Sequence, residues 1–186
     1  MKAPKVLDGS KLNVSFQQKP PRLVRWGFHP SPYNPLMVGL TPEGVLCRIE
    51  FTKGRKADAI LKEWKKAWPE TVFTQDKSAT AAVLAKVLKG GAAKLMMTGT
   101  PFQQDVWKTM LKIPAGQTLS YADVAKKIKR PKAVRAVGTA CGANPIPILV
   151  PCHRIVGSNG GLGGFGGGLT LKRALLEVEG VLDQAA

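Results

Sequence analysis

The sequence predicts an α+β protein: a small α/β unit followed by a mostly helical one, with the change of character near residue 95. Three observations carry this reading. In the first half, short apolar runs alternate with turn residues, the mark of strands joined by tight connections. From Thr100 onward, helix-capping residues recur ahead of apolar stripes at helical spacing. Finally, 28 Lys and Arg stand against 12 Asp and Glu among 186 residues, a formal net charge of +16. A pI of about 10.1 calls for a polyanionic partner, most commonly nucleic acid.

Residues 1–20 are polar and basic with little periodicity and read as a loosely held tail, leaving an α/β unit over 21–95 and a helical unit over 96–186. Leu23 to Phe28, Leu36 to Leu40 and Val45 to Phe51 read as strands. Thr41-Pro42-Glu43-Gly44 suits a type I turn between the last two. Ala57, Ile60, Leu61, Trp64 and Trp68 form one face of a helix ended by Pro69. Val72-Phe73 reads as a further strand, and Ser78 as the cap of a second helix running to Gly90-Gly91. Thr100-Pro101-Phe102-Gln103 combines an N-cap, a proline at the first helical position and a capping-box glutamine. Ser120 caps the next helix with Asp123 in its first turn, and a third helix runs from about Ala133 to Gly142. Thr170 opens the last helix, which ends at Gly180. On it Leu171, Leu175 and Val178 share one side, with Leu176 at the margin. Glu179 lies near that stripe, and Glu177 points nearly opposite.

Between Val106 and Leu176 eleven basic residues face a single acid, Asp123. Six of them, Lys126, Lys127, Lys129, Arg130, Lys132 and Arg135, gather at the junction of two consecutive helices. That pattern resembles a helix-turn-helix set against a phosphate backbone. The second of these helices offers Arg135 and then only small side chains, among them Ala136, Gly138 and Thr139, so its backbone can approach a nucleic-acid groove closely. Pro151-Cys152-His153-Arg154 places a thiol beside an imidazole. A free cysteine titrates at about 8.5, so nucleophilic use needs a base or a positive field. Neighbours in an extended chain face opposite ways, so the pair requires either a sharp turn after Pro151 or a bridging water. Eight glycines fall between Gly157 and Gly168. The match of Gly161 to Gly166 with a dinucleotide-binding pattern is rejected, because too little chain follows to complete the βαβ unit. Three cysteines and two histidines without ligand spacing argue against a disulfide scaffold or a metal site, and no apolar run approaches the ~18 residues of a membrane span.

Asn144 to Arg154, NPIPILVPCHR, preceded by Arg135-Ala136-Val137-Gly138, closely resembles the O6-alkylguanine-DNA alkyltransferases from about Thr100 to Gly180. The resemblance implies a ribonuclease-H-like α/β domain joined to a helical DNA-binding domain. It implies a single-turnover enzyme without metal or organic cofactor, acting as a monomer on double-stranded DNA that carries O6-alkylguanine, and also on O4-alkylthymine. Cooperative binding along DNA is left open. The expected location is the cytoplasm, or the nucleus in a eukaryote. By the same resemblance Cys152 is the acceptor thiol, His153 its water-linked base and Glu179 the partner of that histidine. Asn144 braces the turn, Tyr121 donates to the flipped guanine, and Arg135 fills the gap in the duplex, with Ala136, Gly138 and Thr139 against the DNA. Pro147, Ile155, Phe165 and Gly166 line the base pocket. Relatives often carry tyrosine and a hydroxyl or arginine residue in place of Phe165 and Gly166. Two rival readings are a damage-recognition protein of the same fold, which would lack the reactive cysteine, and a helix-turn-helix regulator, which would need no PCHR.

Overall fold

In the computed structural model, which describes residues 11–182, the first half of the chain builds one six-stranded mixed sheet. Its strands are β1 (Leu12–Gln17), β2 (Leu23–His29), β3 (Leu36–Leu40), β4 (Leu46–Phe51), β5 (Val72–Gln75) and β6 (Ala93–Thr98). They lie in the order β1-β6-β4-β3-β2-β5. The β2-β3-β4 meander is antiparallel, whereas β5 joins β2, and β6 joins both β4 and β1, in parallel. In the β3–β4 turn the Gly44 N–H donates to the Thr41 carbonyl at 3.0 Å, and Gly44 takes φ +77°, where a glycine is unstrained. Helix α1 (Ala57–Ala67) buries Ile60 and Trp64 on one face of the sheet, against Val24, Trp26, Met37 and Cys47.

The second half contributes α3 (Pro101–Met110), α4 (Tyr121–Lys127), α5 (Val134–Gly142) and α6 (Leu169–Val178), and α2 (Lys77–Leu88) precedes β6. Thr100 and Ser120 each close a reciprocal capping box, with Gln103 and Asp123. The α4–α5 turn closes with the Arg130 N–H on the Ala125 carbonyl at 2.8 Å. Lys129 sits at φ +59°, in the left-handed position usually given to glycine. One apolar cluster runs from Val38, Leu95 and Met97 of the sheet through Trp107, Met110 and Val137 to Cys152, Ile155 and Leu175. The site therefore rests on a core shared by both halves.

Four sequence expectations need correction. The tail assigned to residues 1–20 contains β1, whose Leu12, Val14 and Phe16 alternate inward and pair in register with Ala93 to Thr98. Its period of two is short and its partner lies about 80 residues away, so local pattern alone misses it; residues 1–10 of that assignment lie outside the described residues. Strand β6 runs through residue 95, so the sheet continues to Thr98. Asp76, not Ser78, caps α2, accepting from the Ala79 N–H at 2.9 Å. Gly168, not Thr170, precedes α6, at φ +91° and with no side-chain cap.

Candidate active site

Cys152, His153 and Arg154 form a single 3₁₀ turn, closed by the Arg154 N–H on the Pro151 carbonyl at 3.0 Å. This sharp turn, not an extended segment, follows Pro151. All three side chains are buried. The approach to the turn is equally fixed. Asn144 donates from Nδ2 to the Val150 carbonyl at 2.8 Å and accepts the Ile146 N–H at 3.0 Å, so one side chain spans the loop that ends at the cysteine. Within that loop Ile148 holds φ +76°, a costly conformation for a β-branched residue. On the other side, β8 (Ile155–Val156) pairs in parallel with β7 (Leu119–Ser120), which leads directly into α4 and Tyr121.

The hydrogen bonds behind the histidine define the electrostatics. His153 Nε2 lies 3.0 Å from Glu179 Oε1. Arg154 grips the same carboxylate from Nε (3.0 Å to Oε2) and Nη2 (2.9 Å to Oε1), while its Nη1 donates to the Ile113 carbonyl at 2.6 Å. The Glu179 side chain is only 3% exposed. Burial alone would raise its carboxyl. The hydrogen bonds and positive charge of His153 and Arg154 outweigh burial and hold it at about 2. For His153 burial is the larger influence and lowers the ring below its ordinary range, despite the opposing pull of Glu179. The imidazole is thus neutral at pH 7 and free to accept a proton, and Arg154 is the standing partner of the carboxylate. His153 Nδ1 is buried without a hydrogen-bond partner among the described residues.

The thiol of Cys152 is pushed up by burial and drawn down by a hydrogen bond from Asn144 and by the charge of Lys172. Sequence reasoning did not single out Lys172. Its ammonium is fully buried and donates to the Ile155, Leu162 and Gly164 carbonyls, pinning the glycine-rich loop beside the thiol. The available signal was its position four residues before Leu176 and seven before Glu179, on the buried side of α6. That stripe is Leu171, Lys172, Leu175 and Leu176; Val178 is only partly buried. Arg154 was likewise visible only as a letter of the motif. Both Cys47 and Cys141 are pushed up to about 12 by burial.

The remaining candidates surround this centre. Tyr121 is half-buried, and burial raises its hydroxyl, which faces Gly163: a Cβ there would meet the Tyr121 oxygen at 2.6 Å. Gly163 takes φ +64°, so glycine alone suits both the backbone and the contact. The Phe165 ring packs at 5.7 Å from Phe51 and edge-on at 6.3 Å from His153. Pro147 and Ile155 are buried, and Gly166 is exposed. On α5, Val137, Ala140 and Cys141 face inward, and Trp107 Nε1 donates to the Ala140 carbonyl at 2.9 Å. Arg135, Ala136 and Thr139 are exposed, with Gly138 partly so and packed near the Tyr121 ring. The small residues therefore divide between an inner packing face and an outer face headed by Arg135. Among the described residues no group of three or more His, Cys, Asp or Glu is placed to hold a metal ion, and no helix is long and apolar enough to cross a membrane.

Residues 101–181 match the family described as the DNA-binding domain of 6-O-methylguanine DNA methyltransferase. The methylated-DNA–protein-cysteine methyltransferase of Methanosarcina acetivorans is 41% identical over 150 residues, covering 81% of this chain and 94% of that protein. The chain belongs to the methylated-DNA–protein-cysteine methyltransferase family. Its Mycobacterium tuberculosis member is 57% identical over 86 residues, 46% of this chain and 52% of the relative. The crystal structure of Mycobacterium tuberculosis OGT in complex with DNA superposes with a TM-score of 0.67 at 37% identity, covering 84% of this chain and 92% of the other. A relative from Pyrococcus kodakaraensis gives 0.58 at 26% identity over 85% of this chain and 99% of its own. The mixed α/β architecture is thus the one this methyltransferase family adopts.

Three variants test the charges on α6 and around the thiol. Because the Glu179 carboxyl is depressed on folding, its stabilisation is complete above about 4.5 and is lost as pH falls toward about 2. Glu179→Gln leaves a buried guanidinium short of its partner and should cost about 3 kcal/mol at pH 7, with a shallower acid limb in denaturation against pH. It should also slow alkylation of Cys152 by iodoacetamide. Glu177→Gln, which loses only a 3.9 Å contact with the exposed Arg173, should change stability by less than about 0.5 kcal/mol. Lys172→Met removes the positive charge that favours the thiolate. The pH profile of Cys152 alkylation should then move to higher pH, measured without interference from the two cysteines held at about 12.

Proposed function

We propose that this chain reverses alkylation damage directly, by transferring the alkyl group of O6-alkylguanine, and of O4-alkylthymine, from duplex DNA to Cys152 in a single turnover. Family membership supports alkyl transfer from DNA to a cysteine. The observation that carries the assignment to this residue is the buried Cys152–His153 turn, with its imidazole backed by an ionised Glu179 at 3.0 Å. Of the other two cysteines, Cys47 donates to the Gly39 carbonyl and Cys141 lies 3.8 Å from Met110 Sδ.

The chemistry proceeds from the protonation states. Burial keeps Cys152 a thiol at rest and His153 neutral, so the thiol proton passes to the imidazole through a water at Nδ1. Glu179 steadies the imidazolium that results. A base inside the duplex is out of reach, so the damaged nucleotide is rotated out of the stack. Arg135, long, cationic and exposed at the head of α5, takes the space it leaves, and Ala136, Gly138 and Thr139 let the helix backbone lie close in the groove. Pro147, Ile155, Phe165 and Gly166 receive the base. The thiolate attacks the alkyl carbon: a C–S bond forms, the C–O6 bond breaks, and guanine departs with the electron pair. Tyr121, kept protonated by burial, donates to the departing guanine, and the histidine's proton restores the phenol. The thioether has no ready leaving group, so each molecule reacts once, as a monomer and with no cofactor in the scheme. The basic surface supplies affinity for any duplex.

Radiolabelled O6-methylguanine DNA tests the acceptor. Wild-type protein should take up about one label per molecule, and Cys152→Ser none, with duplex affinity preserved within about twofold because affinity resides in the basic helices. Label on Cys47 or Cys141 would move the assignment. Arg135→Ala should slow repair of duplex DNA by about tenfold or more while leaving reaction with free O6-benzylguanine nearly unchanged, since a free base needs no flipping. Equal losses on both substrates would give Arg135 a role in the pocket instead.

A further inference from the structure

Strands β4 and β6 are neighbours, yet they share a single register pair, Leu46 with Leu95. Beyond it they diverge, and the chain after α5 enters the gap: the Ile49 N–H donates to the Pro145 carbonyl at 2.8 Å. A cleft of about 420 Å³ lies at this junction, with Arg48, Lys53, Thr98, Asn144, Pro145 and Gly166 among its walls. It adjoins the Cys152 site and shares Asn144, Pro147 and Gly166 with it, whereas Arg48, Lys53 and Thr98 belong to the α/β half and take no part in the proposed transfer.

Arg48 is the unusual group. Its guanidinium carbon lies 5.0 Å from the centre of the Trp64 ring and 4.9 Å from that of Trp68. Two indoles thus lie against the cation, whose side chain is only 19% exposed. Among the described residues its ion-pair partner is Glu50, with Nη2 to Oε2 at 4.0 Å, beyond hydrogen-bond reach, and Glu63 lies further off on the same cleft. Both Glu50 oxygens are already taken: Arg55 Nη2 donates to Oε1 at 2.6 Å, and Trp64 Nε1 to Oε2 at 2.7 Å. Arg55 also binds Glu63 at 2.7 Å, so one cation serves both acids on the rim. Among the described residues lining the cleft, Arg48, Lys53 and Arg55 face two carboxylates, Glu50 and Glu63, which leaves one positive charge in excess. Across the cleft the Thr98 hydroxyl is a second polar group, buried and without a hydrogen-bond partner among the described residues.

We propose that this cleft binds a phosphate monoester, with the Arg48 fork on two phosphate oxygens and Thr98 and Lys53 completing the contacts. A guanidinium held against two aromatic rings loses little freedom on forming a bidentate pair, and phosphate matches its fork. The volume suits a group as small as inorganic phosphate or the 5′-phosphate of a mononucleotide. The bound anion would touch the Asn144–Pro145 segment, whose carbonyl and side chain already tie β4 to the loop leading into Cys152.

The test uses the full chain carrying Cys152→Ser, so its outcome does not depend on the proposed transfer reaction. The indole N–H resonances of Trp64 and Trp68, whose rings lie against Arg48 and which persist in the Arg48 variants, are followed by NMR during separate titrations with inorganic phosphate and 5′-deoxyguanosine monophosphate at constant ionic strength. A saturable displacement at millimolar concentration or below is expected. It should be abolished by Arg48→Met, weakened about tenfold by Arg48→Lys, which keeps the charge but loses the fork, and unaffected by Arg135→Ala. Equal response to both probes identifies the free ion as sufficient; a clear preference for the nucleotide identifies it as the source. Unmoved indole resonances, an equal response to chloride, or binding that survives in Arg48→Lys and disappears in Arg135→Ala would overturn the proposal, the last by assigning the anion to the DNA-facing helices.

Discussion

Arg154 holds the centre of this molecule together. Its guanidinium ties the carboxylate of Glu179, at the end of the last helix, to the Ile113 carbonyl just beyond α3, and its own backbone closes the turn that carries the cysteine. Three segments far apart in sequence meet on one buried cation. An ion pair of this kind is not a general source of stability, because removing two charges from water costs several kcal/mol. Its value here is positional. With four donors committed in fixed directions, the Glu179 oxygens can face His153 in only one way. The neutral state of His153 follows, since Arg154 already satisfies the carboxylate and burial opposes a second positive charge.

The same economy of charge separates the inside of the protein from its surface. Inside, the buried charges of the site are partnered: Glu179 has Arg154, and Lys172 has the carbonyls of Ile155, Leu162 and Gly164. Outside, the junction of α4 and α5 presents lysines and arginines with almost no acids between them. The interior arrangement sets proton affinities at particular atoms, where the low dielectric makes each contact count. The exterior arrangement acts over a Debye length and attracts a polyanion without reading its sequence. Close approach is then left to the small residues on the outer face of α5.

The sheet contributes more than a scaffold. Ile49 of β4 hydrogen-bonds the loop braced by Asn144, while Phe51, two residues on and on the same side of the strand, packs against Phe165 of the glycine-rich loop. Phe165 in turn meets the edge of His153. A single strand of the α/β half thus supports both walls around the turn. The Phe165 ring is seated against two others, so the loop has an aromatic anchor where its glycines would otherwise leave it loose.

Much of this was legible in the sequence because it is local. The capping boxes at Thr100 and Ser120, the meander of β2 to β4, the stripe of α1 and the exposed Arg135 each depend on residues within about four positions of one another, where periodicity and hydrogen-bonding capacity speak directly. The PCHR segment and the choice of Glu179 over Glu177 could also be read, the first from residue types and the second from helical geometry. What the sequence left open depends on distant partners. Strand β1 exists because β6 offers it an edge, and β7 and β8 exist because the chain returns to them. Lys172 reads as one more surface lysine until three carbonyls close around it. Whether Cys152 and His153 follow an extended path or a turn was undetermined by their adjacency, and the 3₁₀ turn is decided by Arg154, Asn144 and the core beneath. Propensity and pattern act through neighbours along the chain; burial and the pKa values it sets are properties of what folds around a group, and only the tertiary structure supplies that.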